Sequence, residues 1–276
     1  MQRLGQHFLI NKSVIKKIIS AIHSQPEETI LEIGPGHGEL TEALAREFPK
    51  TKIVAVEKDA QFATALKKRF LEGGEVSIVY GDVLKLLPSL VQKGSGHKTY
   101  KIVGNIPYYL TGHLLRKIGE TENKPISCVF MVQKEVAERL VARPPKMNRL
   151  AASVQFWAVP RIFAVVSKND FRPIPRVDSA VIELKTIFSD PTRKWGRDAD
   201  NYFATVRILF AQPRKTITNN LLGTPSNLKV SKEDAIKILG AFGIDPRHRP
   251  QNLTIDNIFD LSRLLFSEKE RGDSRD

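Results

Sequence analysis

Gly34, Glu57, Asp82 and Asn105 are separated by 23, 25 and 23 residues, and their types could serve one chemistry. Each falls just after, or closes, a short apolar run that reads as a buried strand: Thr29–Ile33, Lys52–Glu57, Val76–Tyr80 and Lys101–Gly104. Ligands of open parallel sheets bind at the carboxyl ends of the strands. Four polar or glycine-rich strand ends in register therefore describe one continuous site, although none of them would be persuasive alone.

The first, Glu32-Ile33-Gly34-Pro35-Gly36-His37-Gly38, ends a strand and opens a helix. Its glycines let the backbone approach a ligand, and the following helix offers unpaired N–H groups to an anion. The pattern is G-x-G-x-G, whereas a dinucleotide fold would show G-x-G-x-x-G. A carboxylate such as that of methionine is an alternative to a pyrophosphate, and a tight turn that needs glycine is the competing explanation. Glu57 could accept both hydroxyls of a ribose, or could simply be a charge at a helix start. Asp82, in Gly81-Asp82-Val83, could accept from an adenine amino group or could cap the next helix.

The fourth, Asn105-Ile106-Pro107-Tyr108, narrows the chemistry. An adenine amine is a poor nucleophile because its lone pair is delocalised into the ring. The Asn105 side-chain oxygen and the Ile106 carbonyl could both accept hydrogen bonds from that amine. This would favour the pyramidal nitrogen that develops as it attacks a methyl sulfonium. Pro107 would fix the backbone, and Tyr108 would offer a ring on which a flipped-out base stacks. A plain turn is the alternative for such a short motif on its own.

These strand ends must be carried by a scaffold. A further run, Ser127–Gln133, and helical periodicity over Glu39–Phe48, Ala60–Phe70 and Gly112–Gly119 predict an α/β domain with a parallel sheet. Arg161–Val166 and Ala180–Ile187 have no helix between them and would close the sheet as an antiparallel hairpin. From about residue 189 only helical patterns remain: Asn201–Ala211, Lys215–Leu222, Lys232–Phe242 and Thr254–Phe266. The expectation is a ligand-binding domain over 1–188 and a small all-helical domain over 189–276, frayed from 267.

Composition narrows the class. Of 276 residues, 41% are hydrophobic and 26% charged, as in an ordinary globular protein, and the net charge is +13, mostly within residues 1–188. Such an excess favours polyanions through counterion release. Six scattered histidines and one cysteine, Cys128, provide no metal-ligand spacing, so no metal is expected. No stretch approaches the ~18 apolar residues of a membrane span, and no signal core is evident, so no membrane association and a cytoplasmic location are expected. A G-x-S-x-G elbow and a P-loop register are both absent.

With these motifs in order, the sequence resembles the ribosomal RNA adenine dimethylases, from Gly5 to about Leu265. The likeness also rests on Gly5-Gln6-His7-Phe8-Leu9, Phe171-Arg172-Pro173-Ile174-Pro175-Arg176-Val177-Asp178-Ser179-Ala180, Arg214-Lys215-Thr216 and Gly243-Ile244-Asp245-Pro246. The resemblance implies a Rossmann-like class I methyltransferase sheet. S-adenosylmethionine would be held by His7, Leu9, Gly34, Gly36, Glu57, Asp82 and Asn105. The target adenine would be met by Asn105, Ile106, Pro107 and Tyr108, with Phe171 against its other face unless that ring is a core aromatic.

The implied substrate is a pair of adjacent adenosines in the 3′-terminal hairpin of small-subunit rRNA, each dimethylated at N6 within an assembling 30S-type particle by a monomeric enzyme. His7, Tyr109 and Gln251 stand where other residues occur in the family. Within it, Asp178-Ser179-Ala180 and Gly243–Pro246 look more like the small-subunit enzymes than the large-subunit methylases of macrolide resistance. A nucleic-acid-binding factor that keeps the fold without turnover is the rival from another class.

Overall fold

The computed structural model describes residues 8–9, 11–71, 74–92, 99–187, 197–224 and 230–267. In chain order the elements of the first part are β1 (Phe8–Leu9), α1 (Lys12–Ile22), β2 (Thr29–Ile33), α2 (Glu39–Glu47), β3 (Lys52–Glu57), α3 (Ala60–Arg69), β4 (Val76–Tyr80), α4 (Val83–Val91), β5 (Tyr100–Asn105), α5 (Thr111–Glu120), β6 (Ser127–Gln133) and α6 (Lys134–Leu140). They are followed by α7 (Arg149–Gln155), β7 (Ala158–Val166), β8 (Phe171–Arg172), β9 (Ser179–Thr186), α8 (Arg197–Leu209), α9 (Ile217–Leu222), α10 (Lys232–Ala241) and α11 (Ile255–Ser267).

The chain divides into two compact units. The first, residues 1–138 with 158–187, holds a seven-stranded sheet in the order β4-β3-β2-β5-β6-β9-β7. Strands β4 to β6 are parallel, and β9 and β7 are antiparallel, as the absence of an intervening helix led one to expect. The interior strand β2 is buried at all five positions, which is why its sequence does not alternate between apolar and polar residues. Edge strand β7 carries Pro160, whose missing N–H is tolerated where no further strand pairs. The apolar face of α1 (Val14, Ile15, Ile18, Ala21, Ile22) shares a core with Ile30, Ile53, Val103, Val129 and Val181 from the sheet.

The second unit comprises residues 139–157 and 188–276, so its boundary differs from the expected break near 188. The reason is local packing. Asn148 caps α7 by accepting from the N–H groups of Leu150 and Ala151. The Phe156 ring stacks on Tyr202 of α8 with centroids 3.9 Å apart, and the Tyr202 hydroxyl donates to the Ala152 carbonyl at 2.9 Å. Helices α8 and α11 form the main pair of this unit, with α9 and α10 packed beside them. Among the described residues no helix is long and apolar enough to cross a membrane.

Candidate active site

The strand order reverses between β2 and β5. From β2 the chain proceeds to β3 and β4 on one side, then returns to β5 on the other. A crevice opens at the carboxyl end of such a switch point. Here it is a cavity of about 460 Å³, within the size range of small-molecule sites. Gly34, Gly36, Glu57, Asp82, Asn105, Ile106, Pro107, Tyr108 and Leu9 all line it. The residues whose spacing singled them out are thus brought together around one cavity. His7 lies outside the described residues.

The Gly34 loop is shaped for close approach. Gly34 has φ 67° and Gly38 φ 90°, both in the left-handed region that disfavours other residues. A Cβ added to Gly34 would meet no atom within 4 Å, so its backbone faces open space that a ligand could fill. The Glu57 carboxylate, buried with its strand, accepts from the Gly36 N–H at 3.1 Å and from the Asp59 N–H at 2.8 Å. Those two bonds hold it against the loop, and a carboxylate retains further acceptor sites for ligand hydroxyls.

Asp82 performs the capping role weighed for it, accepting from the Leu84 N–H at 3.0 Å, while also lining the cavity. It is paired with Lys58 at 2.9 Å, and that ammonium holds the carboxyl below the usual carboxylate range. Asn105 is half-buried and still in register with Met131 of β6, whose carbonyl accepts from the Ile106 N–H at 3.1 Å. The turn is closed one step later, where the Pro107 carbonyl accepts from the Leu110 N–H at 2.8 Å.

Phe171 requires a correction. It is 1% exposed, belongs to the core cluster with Val14 and Ile18, and is not among the residues lining the cavity. The two-residue pairing of Leu9 with Phe171 draws the aromatic inward. No face is left for stacking on a base, and the core reading holds.

Glu32 is a site residue that sequence reasoning left without a role. It lines the cavity at 1% exposure and accepts a hydrogen bond from the Thr41 hydroxyl at 2.7 Å. The signal was an acid inside an otherwise apolar buried strand. Burial pushes its carboxyl from an ordinary 4.5 up to about 8, with the charges of Glu57 and Glu39 adding to the rise and the Thr41 bond opposing it. The folded state therefore keeps a proton that the unfolded state has already lost between these two values. Stability from this group is full below pH 4.5 and declines as pH rises towards 8. The ligand-free wild type should lose about 3–5 kcal/mol across that window relative to Glu32→Gln, as read from denaturant midpoints at stepped pH. Parallel curves for the two proteins would refute the shift.

Among the described residues no cluster of His, Cys, Asp or Glu is placed to hold a metal ion. In the helical unit, Arg247 is engaged by Asp245 at 2.9 Å.

Comparison with known proteins accords with this geometry. The chain is 37% identical over 265 residues to a ribosomal RNA small subunit methyltransferase A of Dehalococcoides mccartyi, covering 96% of this chain and 88% of that one. It is 38% identical over 268 residues to the protein of the same name from Geobacillus thermodenitrificans, with 95% and 90% covered. Among solved structures, a dimethyladenosine transferase from Plasmodium falciparum superposes with a TM-score of 0.76 at 26% identity, covering 96% of this chain and 98% of that one. The 23S rRNA methyltransferase ErmE shares the fold with a TM-score of 0.70 at 22% identity, covering 94% and 99%. A sequence model described as ribosomal RNA adenine dimethylase matches residues 1–265, and the chain belongs to that family.

Proposed function

We propose that this chain methylates the N6 amine of two adjacent adenosines in the 3′-terminal hairpin of small-subunit rRNA, producing N6,N6-dimethyladenosine. It would act as a cytoplasmic monomer on an assembling 30S-type particle. Membership of the family makes it an S-adenosylmethionine-dependent methyltransferase acting on ribosomal RNA. The observation that carries the finer reading is the shared cavity: Asn105–Tyr108 and the Gly34 loop, from strands on the two sides of the switch point, line the same space.

The bound cofactor supplies an electrophilic methyl group on a positively charged sulfur. Glu57 would accept the ribose hydroxyls, and Asp82 the adenine amino group of that cofactor. The open backbone at Gly34 and the N-terminus of α2 suit its carboxylate. Glu32, which is proton-bound in the free protein near neutral pH, would ionise opposite a bound cation.

For the substrate, Asn105 Oδ1 and the Ile106 carbonyl would accept hydrogen bonds from the amine, so that the nitrogen becomes pyramidal and its lone pair, withdrawn from the ring π system, would point at the methyl group. Tyr108 would hold the flipped base by stacking. As the N–C bond formed, the methyl–sulfur bond would break with its electron pair left on sulfur as a neutral thioether. The cationic nitrogen would then give its proton to water, so no side chain with a matched pKa is required as a base.

The test is transfer of labelled methyl from S-adenosylmethionine to undermethylated 30S particles, followed by nucleoside analysis. N6,N6-dimethyladenosine confined to the 3′-terminal hairpin is the expected product. Label on large-subunit RNA alone, or monomethylated product only, would overturn the substrate assignment.

A further inference from the structure

Ser179 lies in the Asp178-Ser179-Ala180 segment, which so far has no part in the chemistry. We infer that it is a positioning residue for Tyr108, its hydroxyl setting the orientation of the tyrosine ring in the cavity. The inference rests on the substrate-facing role proposed above for Tyr108.

Topology puts the two residues together. Strand β9 runs antiparallel to β6, so it begins at the edge where the parallel strands finish. Ser179, its first residue, stands opposite Gln133, the last residue of β6, and opposite Val166 of β7 on its other side. One strand further on, β5 delivers Asn105 opposite Met131. The reversal of direction at β9 thus brings a serine to the edge that carries the Asn105–Tyr108 segment. Its Oγ lies 3.2 Å from Tyr108 Oη, and either hydroxyl can donate.

The chemistry of the surroundings argues that this contact is selective. Ser179 is 1% exposed and is followed by Ala180, Val181 and Ile182, all fully buried. A hydroxyl among such neighbours costs free energy unless it is paired, and Tyr108 provides a pair. The serine is also firmly held. The Asp178 carbonyl accepts from the Lys134 N–H, and the Asp178 carboxylate from the Lys168 N–H, both at 3.0 Å. Ser179 therefore enters β9 from a tethered segment. Tyr108 instead sits in the connection between β5 and α5, half-buried and facing the cavity. The fixed hydroxyl orients the tyrosine ring, and stacking geometry governs how the base meets the methyl donor.

The experiment measures methyl transfer to undermethylated 30S particles by the full-length chain. Ser179→Ala should lower kcat about five- to tenfold, the worth of one hydrogen bond. KM for the particle should stay within about twofold, as expected when an oriented rather than a uniform contact is lost. Tyr108→Phe, which keeps the ring and removes the hydroxyl, should show a similar loss. The double variant should be no worse than either single one, because both changes delete the same bond. Losses that multiply, or a fully active Ser179→Ala, would overturn the inference.

Tyr108→Ala separates this failure from failure of the underlying reading, since loss of the ring should cost roughly tenfold to a hundredfold. A fully active Tyr108→Ala would remove the substrate role of Tyr108, and the positioning role with it. An impaired Tyr108→Ala beside fully active Ser179→Ala and Tyr108→Phe would remove the positioning role alone.

Discussion

Asn105→Ala is expected to lower methyl transfer by about 10²–10³-fold, the usual consequence of deleting one preorganised hydrogen-bonding group at the reacting centre. Cofactor affinity, measured by calorimetry, should fall by no more than about tenfold, since one hydrogen bond at most is lost there. The separation between the two effects follows from how the backbone is held. Residue 105 remains paired with Met131, and the Ile106 N–H donates to the Met131 carbonyl. Truncating the side chain therefore leaves the strand end, the Pro107 turn and the opposing Gly34 loop where they are. What disappears is an acceptor for the substrate amine, whose effect grows as the nitrogen becomes pyramidal. Equal losses in binding and in transfer would mean that Asn105 serves the cofactor only.

The parts of this molecule that could be read from sequence share a physical cause. Strands β2, β3 and β5 are covered on both faces, so each is a largely apolar run that stops at a glycine or a polar residue, and those stops (Gly34, Glu57 and Asn105) line the cavity. Lys101–Gly104 was expected and Tyr100–Asn105 is observed, because pairing with Met131 extends the strand through Asn105 itself. The strand pair β1–β8 was invisible, since two residues carry no periodicity; only tertiary contact defines it. Phe171 was ambiguous for the same reason. An aromatic before Arg172-Pro173 suits a core or a stacking surface equally well, and its pairing with Leu9 decides between them.

The assignment of residues 139–157 to the helical unit was also beyond local reading. An Ala-rich helix such as α7 could pack on a sheet or on helices. It is the contact of Phe156 with Tyr202, distant in sequence, that selects the second unit. Lys58 escaped notice because an exposed lysine after an acid has no pattern of its own; its ion pair with Asp82 exists only once β3 and β4 lie side by side. Ser179 needed the antiparallel register before its position meant anything.

The largest combined effect should come from a residue with no chemistry of its own. Gly104→Ala is expected to abolish cofactor binding and methyl transfer together and to lower stability by roughly 1–3 kcal/mol, as overpacking does. A Cβ at position 104 would lie 2.5 Å from the Ile33 carbonyl oxygen and 2.9 Å from Ile106 Cδ1. The Ile106 side chain could change rotamer, but the Ile33 carbonyl is backbone and belongs to the last residue of β2. Relief requires β2 and β5 to move apart at their carboxyl ends. That is where the Gly34 loop and the Asn105 motif share one cavity. A folded Gly104→Ala protein that has lost both activities would establish that the close approach of these two strand ends builds the site, in contrast to Asn105→Ala, in which binding survives. Normal cofactor binding by Gly104→Ala would show that the two loops act independently. The calorimetric titration, run beside a melting curve for each variant, distinguishes these outcomes.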